Sequence, residues 1–294
     1  MPLRYYVTPS SPIIDREIYA SGANYYPPSI RAQLLEEKQR ILDSLVRIQE
    51  HKDALTEIFN EMISHAEFFG HCCEMISKGT NPRYNLTTWA TMKTHRQGFT
   101  KIKLLKTVAP KTYQYLKTIE DKYVFFVQQL MDCVEHSTAD DFHAPDYLPH
   151  GFRIDELLQI FSNEKYQAVP LVQSILHTAQ FINTHTEIFR QLHDDNTLRQ
   201  HPEDWLEEVV NVSASGLAVH MRKGFRLHER VDIHIYFAQE KRHLRFKGVV
   251  VNVQSDTQTQ MERVAMNFEF PDGKSQNFLQ TQIQKFEIDE CLIA

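Results

Sequence analysis

Two periods of apolar residue divide this chain. From Ile30 to about Ile76, apolar side chains return every seven residues at Leu34, Ile41, Ile48, Leu55, Met62 and Phe69, and Leu45, Phe59, Ala66 and Cys73 follow four residues after several of them. Together they form a heptad seam, interrupted by Lys38 and Lys52. The segment holds no proline and one glycine, Gly70. Unbroken, a helix of about 47 residues would run roughly 70 Å, more than a small domain needs. Either it breaks near Gly70 and packs within its own chain, or it projects and pairs with a second copy, making residues 30–76 a route to self-association.

Helical spacing returns at Leu86 to His95, at Lys111 to Val134 with its broad apolar face (Leu116, Ile119, Tyr123, Phe126, Val127, Leu130), at Arg153 to Phe161, and at Pro170 to Leu192, where proline stands in the permitted first turn. Beyond His201 the period shortens to two. Val231, Ile233, Ile235 and Phe237 alternate with polar residues, Leu244 to Val253 is Val-rich, and Val264, Met266, Phe268 and Phe270 alternate again. Pro271-Asp272-Gly273 then breaks the chain before a helix over Ser275 to Leu292. Ahead of all this, residues 1–29 carry Pro9, Pro12 and Pro27-Pro28 and read as an extended arm. The expected fold is α+β: an arm over 1–29, an all-α region over 30–200, and an antiparallel β domain with a closing helix over 201–294.

Composition narrows the function classes. With 42% hydrophobic and 24% charged residues the chain has the make-up of a soluble globular protein. A formal charge of -6 argues against non-specific binding of a nucleic-acid polymer. No apolar run is long enough to span a bilayer, and the N-terminus lacks the core of a secretory signal; the expected location is cytoplasmic. Four cysteines, none in a Cys-x-x-Cys pair, read as reduced thiols. The 15 histidines raise the question of a metal. Glu61 and His65 lack an answering Glu-x-x-His element, and His177, His185 and His193 drift about 80° per step around a helix, so no metal site is expected. Nor do nucleophile-elbow, phosphate-loop or zinc-protease patterns occur, and no enzyme is expected.

One stretch stands apart. In Asn211-Val212-Ser213-Ala214-Ser215-Gly216, short polar side chains interrupt a Val-rich strand, and Gly216 permits a positive φ or a close backbone approach. Asn211, Ser213 and Gly216 match the (Asp/Asn)-x-Ser-x-x-Gly signature of PilZ domains, bacterial receptors for cyclic di-GMP, and the order of strands and closing helix over about 200–294 resembles theirs. The resemblance implies a β-barrel in which Asn211 and Ser213 hydrogen-bond the nucleotide and Gly216 lets the backbone come close. The family's Arg-x-x-x-Arg pair, which precedes the motif and grips phosphate and guanine, is missing: the matching window offers only Arg190 and Arg199, nine residues apart. Arg222 and Arg226 have the four-residue spacing but follow the motif, and Ala265 stands where the family often has glycine. Residues 204–210 also leave little room for the strand that PilZ domains place ahead of the motif.

The resemblance thus implies a non-catalytic bacterial signalling protein needing no cofactor. It is either a cyclic di-GMP effector, with Arg199, Arg222 or Arg226 standing in for the missing pair, or an adaptor that has lost the nucleotide and acts through protein partners. Motility, type IV pili or exopolysaccharide would be the processes served.

Overall fold

A computed structural model describes residues 1–144, 148, 161, 164–197, 201–256 and 259–293. In chain order the main elements are β1 (Pro2–Pro9), α1 (Pro28–Val46), α2 (Lys52–Ser77), α3 (Leu86–His95), α4 (Pro110–His136), α5 (Pro170–Thr197), β2 (Glu207–Val209), β3 (Asn211–Val212), β4 (Gly216–Met221), β5 (Arg230–Phe237), β6 (Arg242–Asp256), β7 (Met261–Glu269) and α6 (Gly273–Ile293). The helix expected over Arg153 to Phe161 falls, except for Phe161 itself, outside the described residues. The chain forms two compact units. One comprises Met1–Asp15, Ala20–Arg31 and Asp194–Ala294, and the other Arg16–Tyr19 and Ala32–His193.

The first unit corrects the expected arm. Residues 2–9 form β1, paired antiparallel with β2 (Leu3 opposite Glu208) and with β5 (Tyr6 opposite His234). Prolines 2 and 9 sit at its two ends, where a missing N–H costs little. The sheet order is β2-β1-β5-β6-β7-β4-β3. Its outermost members, β2 and β3, are separated only by Val210, so both edges of the sheet meet in one stretch, 207–212, and the sheet curls into a nearly closed antiparallel barrel. The barrel strand that the sequence had no room for ahead of the motif is β1, some two hundred residues upstream. A large helical insertion therefore separates the barrel's first strand from its second.

Inward-facing residues at period two fill the barrel: Leu3, Val7, Leu217, Val219, Ile233, Ile235, Phe246, Val250, Val264 and Met266 are all buried. The closing helix α6 adds Leu279, fully buried, and sets Phe278 edge-on to Phe237. One inward position is a carboxylate. Glu262, fully buried, accepts the backbone N–H of Ser29 at 3.0 Å and the Ser255 hydroxyl at 2.8 Å, so it serves the first turn of α1, where backbone donors have no partner within the helix.

The second unit is helical, and the long helix expected over 30–76 breaks, at residues 47–51 and not at Gly70. His51 takes a left-handed conformation with φ 54°, a cost of roughly 1–2 kcal/mol that burial of Ile48 and Leu55 on either side offsets. Lys38 of α1 reaches Glu67 of α2 at 2.5 Å. The seam faces the unit's own core: Ile41, Ile48, Leu55, Met62 and Phe69 are each no more than 8% exposed. Self-association through 30–76 thereby loses the exposed stripe on which it rested.

Several polar side chains of this unit serve backbone groups. Glu61 accepts from the Thr100 N–H (2.8 Å), the Thr100 hydroxyl (2.6 Å) and the Lys101 N–H (2.9 Å), capping the turn that follows α3. The Tyr123 hydroxyl donates to the His65 carbonyl at 2.9 Å. The His65 and His95 rings stack at 3.6 Å, nearly parallel. Burial lowers the basicity of both, that of His95 to about 4 with His65 adding and Glu61 opposing; burial brings His185 down to about 3. Burial pushes the Cys72 and Cys133 thiols up to about 12 and also raises that of Cys73 well above its ordinary value, as expected of inert reduced cysteines.

Candidate functional site

The motif sits at the rim of the barrel. Asn211 is exposed on β3, opposite Ala218 of β4. The strand stops at Val212, so the three polar side chains do not share one strand face: residues 213–215 are a turn that Ser213 organises. Its hydroxyl oxygen accepts the N–H of Ser215 at 3.3 Å and of Gly216 at 3.2 Å, while its own N–H donates to the Gly216 carbonyl at 2.9 Å. The Ser215 carbonyl accepts from the Phe268 N–H at 2.9 Å, locking the turn to the end of β7. Gly216 serves close approach: a Cβ there would lie 2.7 Å from the Met266 carbonyl oxygen.

The register brings residues of other strands beside the motif on the barrel's outer face. Asn211, Ala218, Ala265 and Asn252 lie across four strands in one row. The adjoining row is Gly216, Asn267, Val249 and Arg230, and on the other side runs His220, Arg263 and Gln254. The result is a floor of small residues (Gly216, Ala218, Ala265) ringed by the exposed amides Asn211, Asn252 and Asn267, with a guanidinium on either flank. Amides offer paired donors and acceptors suited to a base edge, and guanidinium groups suit phosphate. Ala265, the departure from the family's glycine, belongs to this floor. Arg230, Asn252, Arg263 and Asn267 went unrecognised in the sequence. The alternation of β7 put Arg263, Ala265 and Asn267 on one face, but only strand register sets that face beside Asn211.

The arginines singled out from the sequence are placed otherwise. Arg222 and Arg226 follow the far end of β4 from Gly216, six residues or roughly 20 Å at the rise of a strand, so the fold does not bring them to the motif. Their turn is tied down elsewhere. Lys223 pairs with Asp195 at 2.9 Å, each side chain about 15% exposed, and lies 4.5 Å above the Tyr6 ring. Tyr25 donates its phenol to Asp195 at 2.7 Å, and burial, reinforced by that carboxylate, pushes the phenol well up, so that it stays protonated. Gly224 donates to the Asn24 carbonyl at 2.7 Å, and a Cβ on it would meet the Pro27 ring at 2.8 Å. Trp205 and His234 complete this outer layer over β1 and β5. Arg199 lies outside the described residues. Among the described residues no helix is long and apolar enough to cross a membrane.

No curated protein matches the chain. A solved structure of Bacillus subtilis inhibitor of motility (MotI/DgrA) matches at 18% identity and a TM-score of 0.26, over 30% of this chain and 44% of that one, so this chain spans less than half the length of that protein. The family model described as "PilZ domain" matches residues 192–285. The match takes in strands β2 to β7 but not β1, and it makes the C-terminal third of this chain a PilZ domain.

Proposed function

We propose that this chain is a non-catalytic cytoplasmic signalling protein whose PilZ barrel takes cyclic di-GMP on its outer face and whose helical unit engages a protein partner, in control of motility, pili or exopolysaccharide. The observation that carries the nucleotide reading is the row Asn211, Ala218, Ala265, Asn252, with Gly216 and Asn267 beside it. Small residues leave room for a flat base, the amides read its edge, and Arg263 and Arg230 supply the positive charge otherwise given by an arginine pair. Losing one charge-assisted contact costs about 1.5–3 kcal/mol, and each 1.4 kcal/mol is tenfold in affinity. With the standard pair missing, binding is expected at roughly tens of micromolar or weaker.

Calorimetric titration of the full chain with cyclic di-GMP tests this. Asn211→Ala and Arg263→Ala should each weaken binding about tenfold or more, while Arg222→Ala and Arg226→Ala should leave it unchanged. Tight binding indifferent to Asn211 and Arg263 would place the ligand elsewhere. A second reading, an adaptor without nucleotide, is favoured by the Ser213 hydroxyl, which already serves two backbone N–H groups of its own turn. Absence of binding at millimolar ligand would select it.

A further inference from the structure

The helical unit brings together three side chains that neither the nucleotide reading nor the packing of the core uses. Asp132 and His136 are one turn apart at the end of α4, and the chain after the helix folds back to set His143 against them. That return is built from its own hydrogen bonds. The Thr138 N–H donates to the Asp141 carbonyl at 2.8 Å, the Thr138 hydroxyl oxygen accepts the N–H of Asp141 at 3.2 Å, and the Ser137 hydroxyl oxygen accepts the N–H of His143 at 2.9 Å. Phe142 is buried beneath it.

We propose that Asp132, His136 and His143 form a site for a divalent transition-metal ion of the zinc type, with water completing the coordination. Each imidazole stands at about ligand-to-ligand distance from one oxygen of the Asp132 carboxylate. His136 Nδ1 lies 3.1 Å from Asp132 Oδ1 and His143 Nε2 lies 3.4 Å from Oδ2, and ligand atoms of all three fall within 4.8 Å of one another. Ligands at 2.0–2.2 Å from a tetrahedral zinc are themselves roughly 3.3–3.6 Å apart, so the carboxylate–imidazole distances need little change. Two nitrogens and one oxygen form a donor set for Zn²⁺, Co²⁺ or Ni²⁺, whereas magnesium and calcium take oxygen. The site also stands at the C-terminal end of a long helix, where the last carbonyls favour a cation, and the Asp132 carbonyl accepts from His136 Nδ1 at 3.0 Å. Imidazole–carboxylate hydrogen bonds account for the same distances when each ring turns an N–H toward Asp132; on binding, the ion takes the place of those protons.

Full-length protein stripped with chelator and titrated with ZnCl₂ should bind one equivalent, and CoCl₂ in its place should give the intense visible bands of a tetrahedral site. His143→Ala and Asp132→Asn should each weaken zinc binding by about tenfold to a hundredfold, with the circular dichroism spectrum unchanged. His201→Ala, which removes a member of the exposed trio His201, Glu203 and Asp204, should have no effect. Absence of stoichiometric metal, binding that survives His143→Ala, or binding lost in His201→Ala would each overturn the assignment.

Discussion

The barrel and the helical unit reach their cores by opposite routes. In the helical unit the residues that pack together come from runs in which the next apolar side chain is three, four or seven positions away, so each helix carries its own buried face. In the barrel, β1 must find β5 across more than two hundred residues (Tyr6 opposite His234) and β2 across a similar span (Leu3 opposite Glu208). The first kind of contact forms cheaply, and the second carries a loop-closure cost that only the finished barrel repays. The two units also differ in what they do with polar side chains. The barrel displays amides and arginines on an open face, whereas the helical unit buries His65, His95 and His185 and turns the carboxylates of Glu61 and Glu120 to backbone N–H groups.

The sharpest way to break this contrast is to remove β1. A fragment comprising residues 201–294 keeps the motif and six of the seven sheet strands but loses Leu3 and Val7 from the core and opens the barrel between β2 and β5. Burial of such side chains is worth about 1.5–3 kcal/mol each, against a total stability of roughly 5–15 kcal/mol. The fragment should show no cooperative melt, and residues 1–12 supplied in trans or through a short linker should restore one. A well-dispersed NMR spectrum from the fragment alone would show that the distant strand is dispensable.

Next in size is the tie between Asp195 and the turn after β4. Asp195→Ala strands Lys223 and removes the acceptor of Tyr25, and urea denaturation should show a loss of about 2–4 kcal/mol. That is less than a fully buried pair would cost, because both side chains keep some solvent contact. Asp195→Asn, which keeps an acceptor for the phenol, should cost less. At the motif, Gly216→Ala drives a Cβ into the Met266 carbonyl. A shift of β4 against β7 should follow, at about 1–3 kcal/mol, with any nucleotide binding lost as well.

The smallest effect bears on the helical unit. His95 and His185 have folded values of about 4 and 3, below the ordinary 6.5, so the unfolded chain takes up protons first. Their contribution is whole above about pH 6.5 and is lost as pH falls toward 4. Each ring should cost up to about 1.4 kcal/mol per pH unit in that window. Midpoints measured at pH 7, 6 and 5 check the slope, and His185→Phe should reduce it.

Much of this molecule was legible because its signals are local. The helices over 86–95, 110–136 and 170–197, the strands over 230–269 and the closing helix announce themselves through side chains a few positions apart, and the Asn211 motif led to the right domain family. The break at His51 was not legible, since nothing in Arg47 to His51 resembles a helix stop and the turn is held by what lies beneath it. The short stretch Leu3 to Val7 read as part of an arm because Pro9, Pro12 and Pro27-Pro28 interrupt residues 1–29 and its partners lie at the other end of the chain.

By itself, the sequence determined the class of each segment and the presence of a polar motif in an apolar strand, because helical and strand periodicity are properties of neighbouring residues. Only the tertiary structure decided that β1 completes the barrel, that Asn252 and Asn267 stand beside Asn211 while Arg222 and Arg226 stand a strand's length away, and that His143 returns to Asp132 and His136. Those outcomes depend on strand register and chain return, which are set by the burial of many distant side chains at once and leave no mark at any single position.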